Sequence, residues 1–221
     1  RSRVSESIFA VGNEYMGVRG YFEEGYTGET LQGSYFNGIF EDRPIHHPAT
    51  FKGMSTRLHF MVNACDWLHT RITLDDETLD VGTSQISDFE RVLDLRTGLL
   101  TRRCIWTTRR QGRKLALTFQ RFTSMAQPHL GAQRLVLTAL NFTGTVRVRL
   151  GVDFGTLHQG VAFGAESDVP PESFWVERQK GTVAGGTAIL GETINSGQKI
   201  FSGFRVVTEC EAQSIPAEAE K

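Results

Sequence analysis

Apolar and polar residues alternate with a period of two along much of the chain. Every even-numbered position is apolar in residues 146–154, and a similar alternation recurs in residues 115–120 and 134–139. Successive side chains of a β-strand point to opposite faces of the sheet, so this alternation predicts half-buried strands. About twelve such segments follow one another closely. No stretch before the C-terminal tail has a convincing helical period.

Short segments rich in glycine or acidic residues separate the predicted strands. Residues 96–98 (RTG) predict the turn of a β-hairpin, and residues 75–77 (DDE) predict a second turn. Pro170 and Pro171 predict a loop, because proline cannot serve in a central strand. We therefore expect an all-β protein, a large antiparallel β-sandwich (a super-sandwich) with few or no helices before the C-terminal tail.

Composition and charge narrow the range of partners. The 221 residues include 24 Lys and Arg against 25 Asp and Glu, a formal net charge of −1. The chain has no basic tail or face, and no apolar run approaches the roughly 20 residues that span a bilayer, so we expect no nucleic-acid partner and no membrane. Cys65, Cys104 and Cys210 form no CxxC pair. This spacing argues against a zinc or redox motif and favours a reducing, cytoplasmic compartment.

Residues 7–20 (SIFAVGNEYMGVRG) place three glycines behind an apolar segment, as some ligand-binding loops do. A phosphate-binding P-loop requires Lys and then Ser or Thr after its last glycine, whereas Val18 and Arg19 follow Gly17 here. We therefore expect the glycines to permit tight backbone turns and not to bind a nucleotide.

The other polar clusters offer little catalytic chemistry. Three groups of acidic residues are adjacent in sequence: Glu23–Glu24, Glu41–Asp42 and Asp75–Asp76–Glu77. Neighbouring carboxylates on a strand point to opposite faces and do not converge on one bond, so we expect solvated loop charges. His46 and His47 lack a third ligand at a useful spacing, so we expect no metal site. Without a GxSxG motif or an evident Ser/His/Asp set, no catalytic residue is assigned.

Aromatic residues offer a second kind of candidate, a platform on which sugar rings stack. The candidates are Trp67, Trp106, Trp175, Tyr35 and Phe36. Aromatic side chains in strands more often fill a core, so we expect these residues to be buried.

Residues 6–25 (ESIFAVGNEYMGVRGYFEEG) closely resemble the opening signature of glycoside hydrolase family 65. This family contains maltose, trehalose and kojibiose phosphorylases and related disaccharide hydrolases. The resemblance continues through residues 33–41 (GSYFNGIFE) and 89–106 (FERVLDLRTGLLTRRCIW), and it covers residues 6–160 in several ordered motifs. It implies a β-sandwich amino-terminal domain that precedes a linker and a catalytic (α/α)6 barrel.

The resemblance also implies how the chain is organised and what it does. Residues 1–209 are expected to form the amino-terminal β-sandwich domain, and residues 210–221 to begin the linker towards a barrel that lies outside this sequence. The domain is then non-catalytic: it supports the barrel of the same parent chain, shapes the rim of the sugar pocket and helps to form a homodimer. The expected substrate is a disaccharide, and no cofactor is needed beyond inorganic phosphate as co-substrate if the parent is a phosphorylase.

Four residues of the resembling segments are candidates for facing the barrel or its ligand: Asn13, Tyr15, Arg19 and Asn37. The family commonly has glycine where this chain has Glu14 and frequently where it has Asp76. A type I′ turn needs positive φ, so either the turn at Glu14 has another form or Glu14 carries about 1–2 kcal/mol of strain.

Two alternatives remain open at this stage. A stand-alone carbohydrate-binding or interaction module would need an exposed aromatic platform, made for instance from Trp67 or Trp175. A degenerate reading frame that has lost its barrel is the other alternative. Exposed apolar surface on one face of the sandwich favours a domain that docks on a barrel over a free-standing module.

Overall fold

A computed structural model describes residues 2–44, 51–156, 158–159, 168–169, 174–183 and 186–209. This part of the chain forms one short helix and 17 strands. The elements are α1 (Ser2–Ile8), β1 (Val11–Gly12), β2 (Met16–Val18), β3 (Ser34–Phe36), β4 (Phe40–Pro44), β5 (Arg57–Met61), β6 (Thr70–Leu74), β7 (Glu77–Thr78), β8 (Gln85–Asp94), β9 (Leu99–Thr107), β10 (Lys114–Thr123), β11 (Gly131–Ala139), β12 (Arg147–Leu150), β13 (His158–Gln159), β14 (Asp168–Val169), β15 (Trp175–Val183), β16 (Gly186–Thr193) and β17 (Lys199–Phe204).

All recorded strand pairs are antiparallel, so the predicted all-β class is confirmed. The largest sheet has four long strands in the order β11-β10-β9-β8. Three-stranded sheets have the orders β1-β2-β3, β12-β6-β7 and β15-β16-β17, and two pairs, β4-β5 and β13-β14, complete the set. No helix in these ranges is long and apolar enough to cross a membrane.

The period-two alternation corresponds to burial most clearly in β10. Leu115, Leu117 and Phe119 are almost fully buried, whereas the residues between them are half-buried on the opposite face. Their side chains pack with Ile72 and Trp106 in one apolar cluster of the core. The four-stranded sheet therefore has an inner face that packs against β6 and an outer face, and the alternation predicted this division.

Cys65 and Cys104 are buried as free thiols among the apolar side chains of the core. Burial raises the pKa of Cys65 to about 12 and that of Cys104 to about 11, so both remain protonated at neutral pH. The predictions for Cys210, for His46 and His47, for Pro170 and Pro171, and for the linker at residues 210–221 lie outside the described residues.

The two predicted turns have the expected positions, and one of them carries backbone strain. Gly98, with φ +68°, closes the hairpin between β8 and β9. Asp75 and Asp76 close the β6–β7 turn with φ of +53° and +61°, in the left-handed region that glycine favours. Glu14 is outside that region, so the turn at Glu14 takes another form and the alternative of a strained Glu14 is wrong.

Replacing Asp76 with Gly is expected to raise the free energy of unfolding by up to about 1 kcal/mol, because glycine adopts positive φ without a Cβ clash. Glu14→Gly is the matched control at a position without strain, and it should lower the same quantity by about 0.5–1 kcal/mol through chain entropy. Urea unfolding of the two variants and the parent chain measures both effects. A loss of stability in Asp76→Gly would contradict the strained turn.

Candidate functional site

Asn13 joins the first hairpin to a distant loop through its side-chain amide. Its Oδ1 accepts hydrogen bonds from the backbone N–H groups of Tyr15 (2.9 Å) and Met16 (2.8 Å), which shapes the β1–β2 turn. Its Nδ2 donates to the carbonyl oxygens of Ser124 (2.6 Å) and Pro128 (3.0 Å) in the β10–β11 loop. Both N–H groups of the Asn13 amide and both lone pairs of its oxygen are therefore used. In this way Asn13 positions the β1–β2 turn against the β10–β11 loop.

Tyr15 and Asn37 lie beside Asn13 and line a shallow depression of about 280 Å³. The Tyr15 ring meets the ring of His129 edge to face, with centroids 4.0 Å apart. The backbone N–H of Asn37 donates to the Tyr15 carbonyl (2.7 Å), and its Nδ2 donates to the Glu14 carbonyl (3.2 Å). The structure therefore brings three of the four candidate residues together, and Tyr35 and Met61 are among the other residues that line the depression.

Arg19 is separate from this group and holds the N-terminal helix in place. Its Nη2 donates to the Arg3 carbonyl (3.1 Å) and to the Ser7 hydroxyl (2.9 Å), both in α1. Its own carbonyl accepts a hydrogen bond from Arg121 (2.9 Å). These contacts place Arg19 between the helix and the four-stranded sheet. Arg19 does not line the depression, although its side chain lies beside that of Tyr35, which does.

The prediction that the acidic pairs are solvated is wrong for Glu23, Glu24 and Glu41. Glu41 has no exposed surface, and its carboxylate accepts hydrogen bonds from the backbone N–H groups of Asn195 (3.1 Å) and Ser196 (3.0 Å). Glu41 therefore fixes the turn that joins β16 to β17. Among the other predicted acidic residues, Asp76 is exposed to solvent, as predicted. The physical reason is that arginines and backbone N–H groups far away in sequence satisfy these carboxylates, which local patterns do not reveal.

Glu23 and Glu24 belong to a buried ionic cluster on the inner face of the four-stranded sheet. Arg102, from β9, donates to both oxygens of Glu24 (2.7 and 2.5 Å) and to Glu23 (2.9 Å). Arg121, from β10, donates to the other Glu23 oxygen (3.1 Å) and is 1% exposed. The Arg102 guanidinium also lies 3.9 Å from the centroid of the Phe119 ring.

Burial and ion pairing together determine the pKa values of this cluster. Burial acts to raise the pKa of Glu23, but the charges of Arg121 and Arg102 outweigh it and lower that pKa below its ordinary value. Burial acts to lower the pKa of Arg102, but Glu24 and Glu23 raise it. At Glu24, by contrast, burial outweighs the pairing with Arg102 and raises the pKa of that carboxyl, so the two neighbouring carboxyl groups shift in opposite directions within one buried cluster.

A second buried carboxylate, Asp66, was not singled out from the sequence. It accepts hydrogen bonds from the Tyr21 hydroxyl (2.5 Å), the Gln32 amide (2.8 Å) and the Leu68 backbone N–H (3.0 Å). The one signal in the sequence is an acidic residue within the apolar run of residues 60–68. Across the described ranges, no group of three His, Cys, Asp or Glu side chains could hold a metal ion.

The aromatic candidates mostly fill the core, as predicted. Trp106, Trp175 and Phe36 are buried, and the Trp175 indole N–H donates to the Asn63 carbonyl (2.8 Å). Trp67 is half-buried and packs closely against Gly131 of β11. These residues therefore present no continuous platform for stacking sugars.

Comparison with known proteins accounts for the fold. The family described as "Glycosyl hydrolase family 65, N-terminal domain" matches residues 1–221. The chain belongs to this family. The N-terminal domains of the family's phosphorylases therefore provide the frame for interpreting the site.

Several disaccharide phosphorylases are among the proteins similar to this chain. The chain is 32% identical to an alpha,alpha-trehalose phosphorylase of Thermoanaerobacter brockii over 67% of its own length and 20% of that protein. It is 32% identical to a kojibiose phosphorylase of Halothermothrix orenii over 74% of its length and 19% of that protein. A solved structure assigned as a kojibiose phosphorylase, from the human microbiome, superimposes with a TM-score of 0.80 at 31% identity, covering 91% of this chain and 25% of the other. The chain thus spans a fifth to a quarter of these relatives.

Removing the shared cation of the ionic cluster is expected to be severe. Arg102→Met should lower the free energy of unfolding by about 3–5 kcal/mol, because two buried carboxylates lose their partner. Arg103→Met is the matched control on the neighbouring residue, where the ion pair with Glu90 is exposed, and its effect should stay below about 1 kcal/mol. Denaturant unfolding measures both. Equal losses in the two variants would contradict a special role for the buried cluster.

Asn13→Asp keeps the acceptor oxygens of the side chain but removes the donor to Ser124 and Pro128. Hydrogen exchange should therefore accelerate in residues 124–130, while the amides of Tyr15 and Met16 remain protected, since a carboxylate still accepts their hydrogen bonds. Asn37→Asp, at an exposed position, is the control and should leave residues 124–130 unchanged. Unaltered exchange of residues 124–130 in Asn13→Asp would show that the amide does not hold the loop.

Proposed function

We propose that this chain is the non-catalytic amino-terminal domain of a disaccharide (α-glucoside) phosphorylase or hydrolase, where it supports the catalytic barrel, the rim of the sugar pocket and the dimer. The observation that carries the proposal is the coverage: the chain matches an N-terminal domain family over its whole length, yet only a fifth to a quarter of each phosphorylase relative. The greater part of such a protein, including its chemistry, then lies outside these residues.

The buried carboxylates support a non-catalytic role. A glycosidase or a phosphorylase needs a carboxylic acid that can transfer a proton to the leaving oxygen of the substrate. Here Glu23 and Glu24 are bound to arginines and Glu41 to backbone N–H groups, so that none of them reaches solvent. These groups stabilise the domain and leave the reaction to the barrel.

The names of the relatives suggest the substrate class. Trehalose, kojibiose and maltose phosphorylases all appear among the similar proteins, the last from Bacillus subtilis at 26% identity. We therefore propose an α-linked glucose disaccharide as substrate of the full-length protein, with inorganic phosphate as co-substrate if it is a phosphorylase. A cytoplasmic homodimer without any further cofactor completes the proposal.

Activity and binding measurements separate this proposal from a stand-alone sugar-binding module. The full-length protein is expected to cleave at least one of maltose, trehalose and kojibiose, with or without phosphate, whereas the 221-residue chain should release no glucose or glucose 1-phosphate. Calorimetry of the 221-residue chain with millimolar sugar should give no heat of binding, because the part of the chain that the structure describes presents no aromatic platform. Heats of binding by the isolated chain, together with an inactive full-length protein, would favour the module.

A further inference from the structure

The outer face of the β8–β11 sheet has no covering layer among the described residues. Thr101, Thr118 and Gln120 are half-buried on this face, and an exposed ion pair between Arg103 and Glu90 lies near its centre, with exposed Val136 in the same row. Four strands of nine or ten residues give this face about 30 Å by 15 Å, roughly 500 Å². Standard interfaces bury about 800 Å² on each partner, so the face with its adjoining loops has the size of one.

One corner of this face exposes a group of apolar side chains, here called the apolar corner. Its members are Val92 (47% exposed), Leu95 (87%), Phe122 (38%), Met125 (77%) and Leu130 (48%), with half-buried Leu99 beside them. The register makes them neighbours: Phe122 lies opposite Ala132 of β11, and Arg121 opposite Leu100 places Phe122 next to Leu99. Residues 95–98 and 124–130 close the two hairpins at this same end of the sheet.

The apolar corner is held in a fixed shape rather than carried on a loose loop. Asn13 binds the carbonyl oxygens of Ser124 and Pro128, and the Tyr15 ring packs on His129. The Ser124 backbone N–H donates to the Leu130 carbonyl (2.9 Å), which closes the loop. A pre-formed apolar surface loses little entropy on binding, as a permanent docking site requires. The candidate residues Asn13 and Tyr15 thereby acquire a role in positioning this loop.

The course of the chain indicates what covers the face. After β17 ends at Phe204, the polypeptide leads to Glu209, whose carboxylate accepts a hydrogen bond from Arg134 (3.1 Å) on the outer face. Val206 and Val207 are exposed along this path. Glu209 therefore lies beside the outer face, so a domain that follows in the same polypeptide is held near this face at a raised effective concentration.

We propose that the outer face of the β8–β11 sheet, with the apolar corner as its centre, is the surface on which the domain following this chain in the full-length protein docks. The inference rests on the proposed function, because it requires a longer polypeptide. The similar solved chain, of which this one covers 25%, leaves ample mass for a partner of this size. A second copy of the chain is the competing occupant, and the test below distinguishes the two.

Hydroxyl-radical footprinting of the full-length protein tests the proposal. Met125, Phe122 and Leu95 should be modified several-fold more slowly than in a peptide digest of the same protein, at any protein concentration. Phe201, which is 64% exposed on the β15–β17 sheet, is the internal control. It should be protected less from modification than Met125, Phe122 and Leu95. Modification of Met125 at the rate expected for its 77% exposure would overturn the proposal. Protection that disappears on dilution would overturn it in favour of a second copy.

A pair of variants checks that the protection arises at this surface. Leu95→Glu in the full-length protein should increase the modification of Met125 and Phe122, because a charge at the apolar corner opposes docking, whereas Phe201→Glu should leave it unchanged. Equal footprints of the two variants would count against the apolar corner. If the full-length protein cleaves disaccharides while the outer face stays open, docking here fails and the proposed function stands. A natural polypeptide that ends near residue 221 would contradict both the docking surface and the proposed function.

Discussion

The paired charges of Glu23, Glu24, Arg102 and Arg121 are the constraint on which the rest of the domain depends. Burying an ion without a partner costs several kcal/mol, so these four side chains have to find one another for the inner face of the four-stranded sheet to close. Their segments are far apart in sequence, since Glu24 and Arg102 are separated by 78 positions. The cluster thereby joins the N-terminal segment to β9 and β10 in one arrangement, since any other leaves a charge unpaired.

The fold class and its turns could be predicted because they depend on local rules. Alternation assigns Leu117 and Phe119 to one face of β10, and a glycine at position 98 closes a hairpin, whatever the rest of the chain does. The helix α1 was less accessible: its seven residues are too few for a helical period to be apparent, and it is held by the distant side chain of Arg19. Local patterns therefore predict the strands but not an element such as α1, which tertiary contacts stabilise.

The candidate site was only partly predictable for the same reason. The resemblance indicates Asn13, Tyr15, Arg19 and Asn37 as candidates. The structure groups three of them around one depression, whereas Arg19 binds the helix α1. Glu23, Glu24 and Glu41 were expected in solvent, because an acidic residue is seldom buried and its partner is invisible in a single sequence. Long-range pairing of charges is the information that composition, periodicity and spacing do not contain.

The tether from Asn13 to Ser124 also has a consequence for the order in which the chain folds. The two residues are 111 positions apart, and the Tyr21 carbonyl accepts a hydrogen bond from Arg121 across 100 positions, so residues 13–21 have to wait for a distant part of the chain to gain their partners. The β8–β11 hairpins consist of neighbouring contacts and close a short loop each, which favours their early formation. Residues 2–24 then join a sheet that already exists, and until they do, the arginines on its inner face remain hydrated and keep the core open.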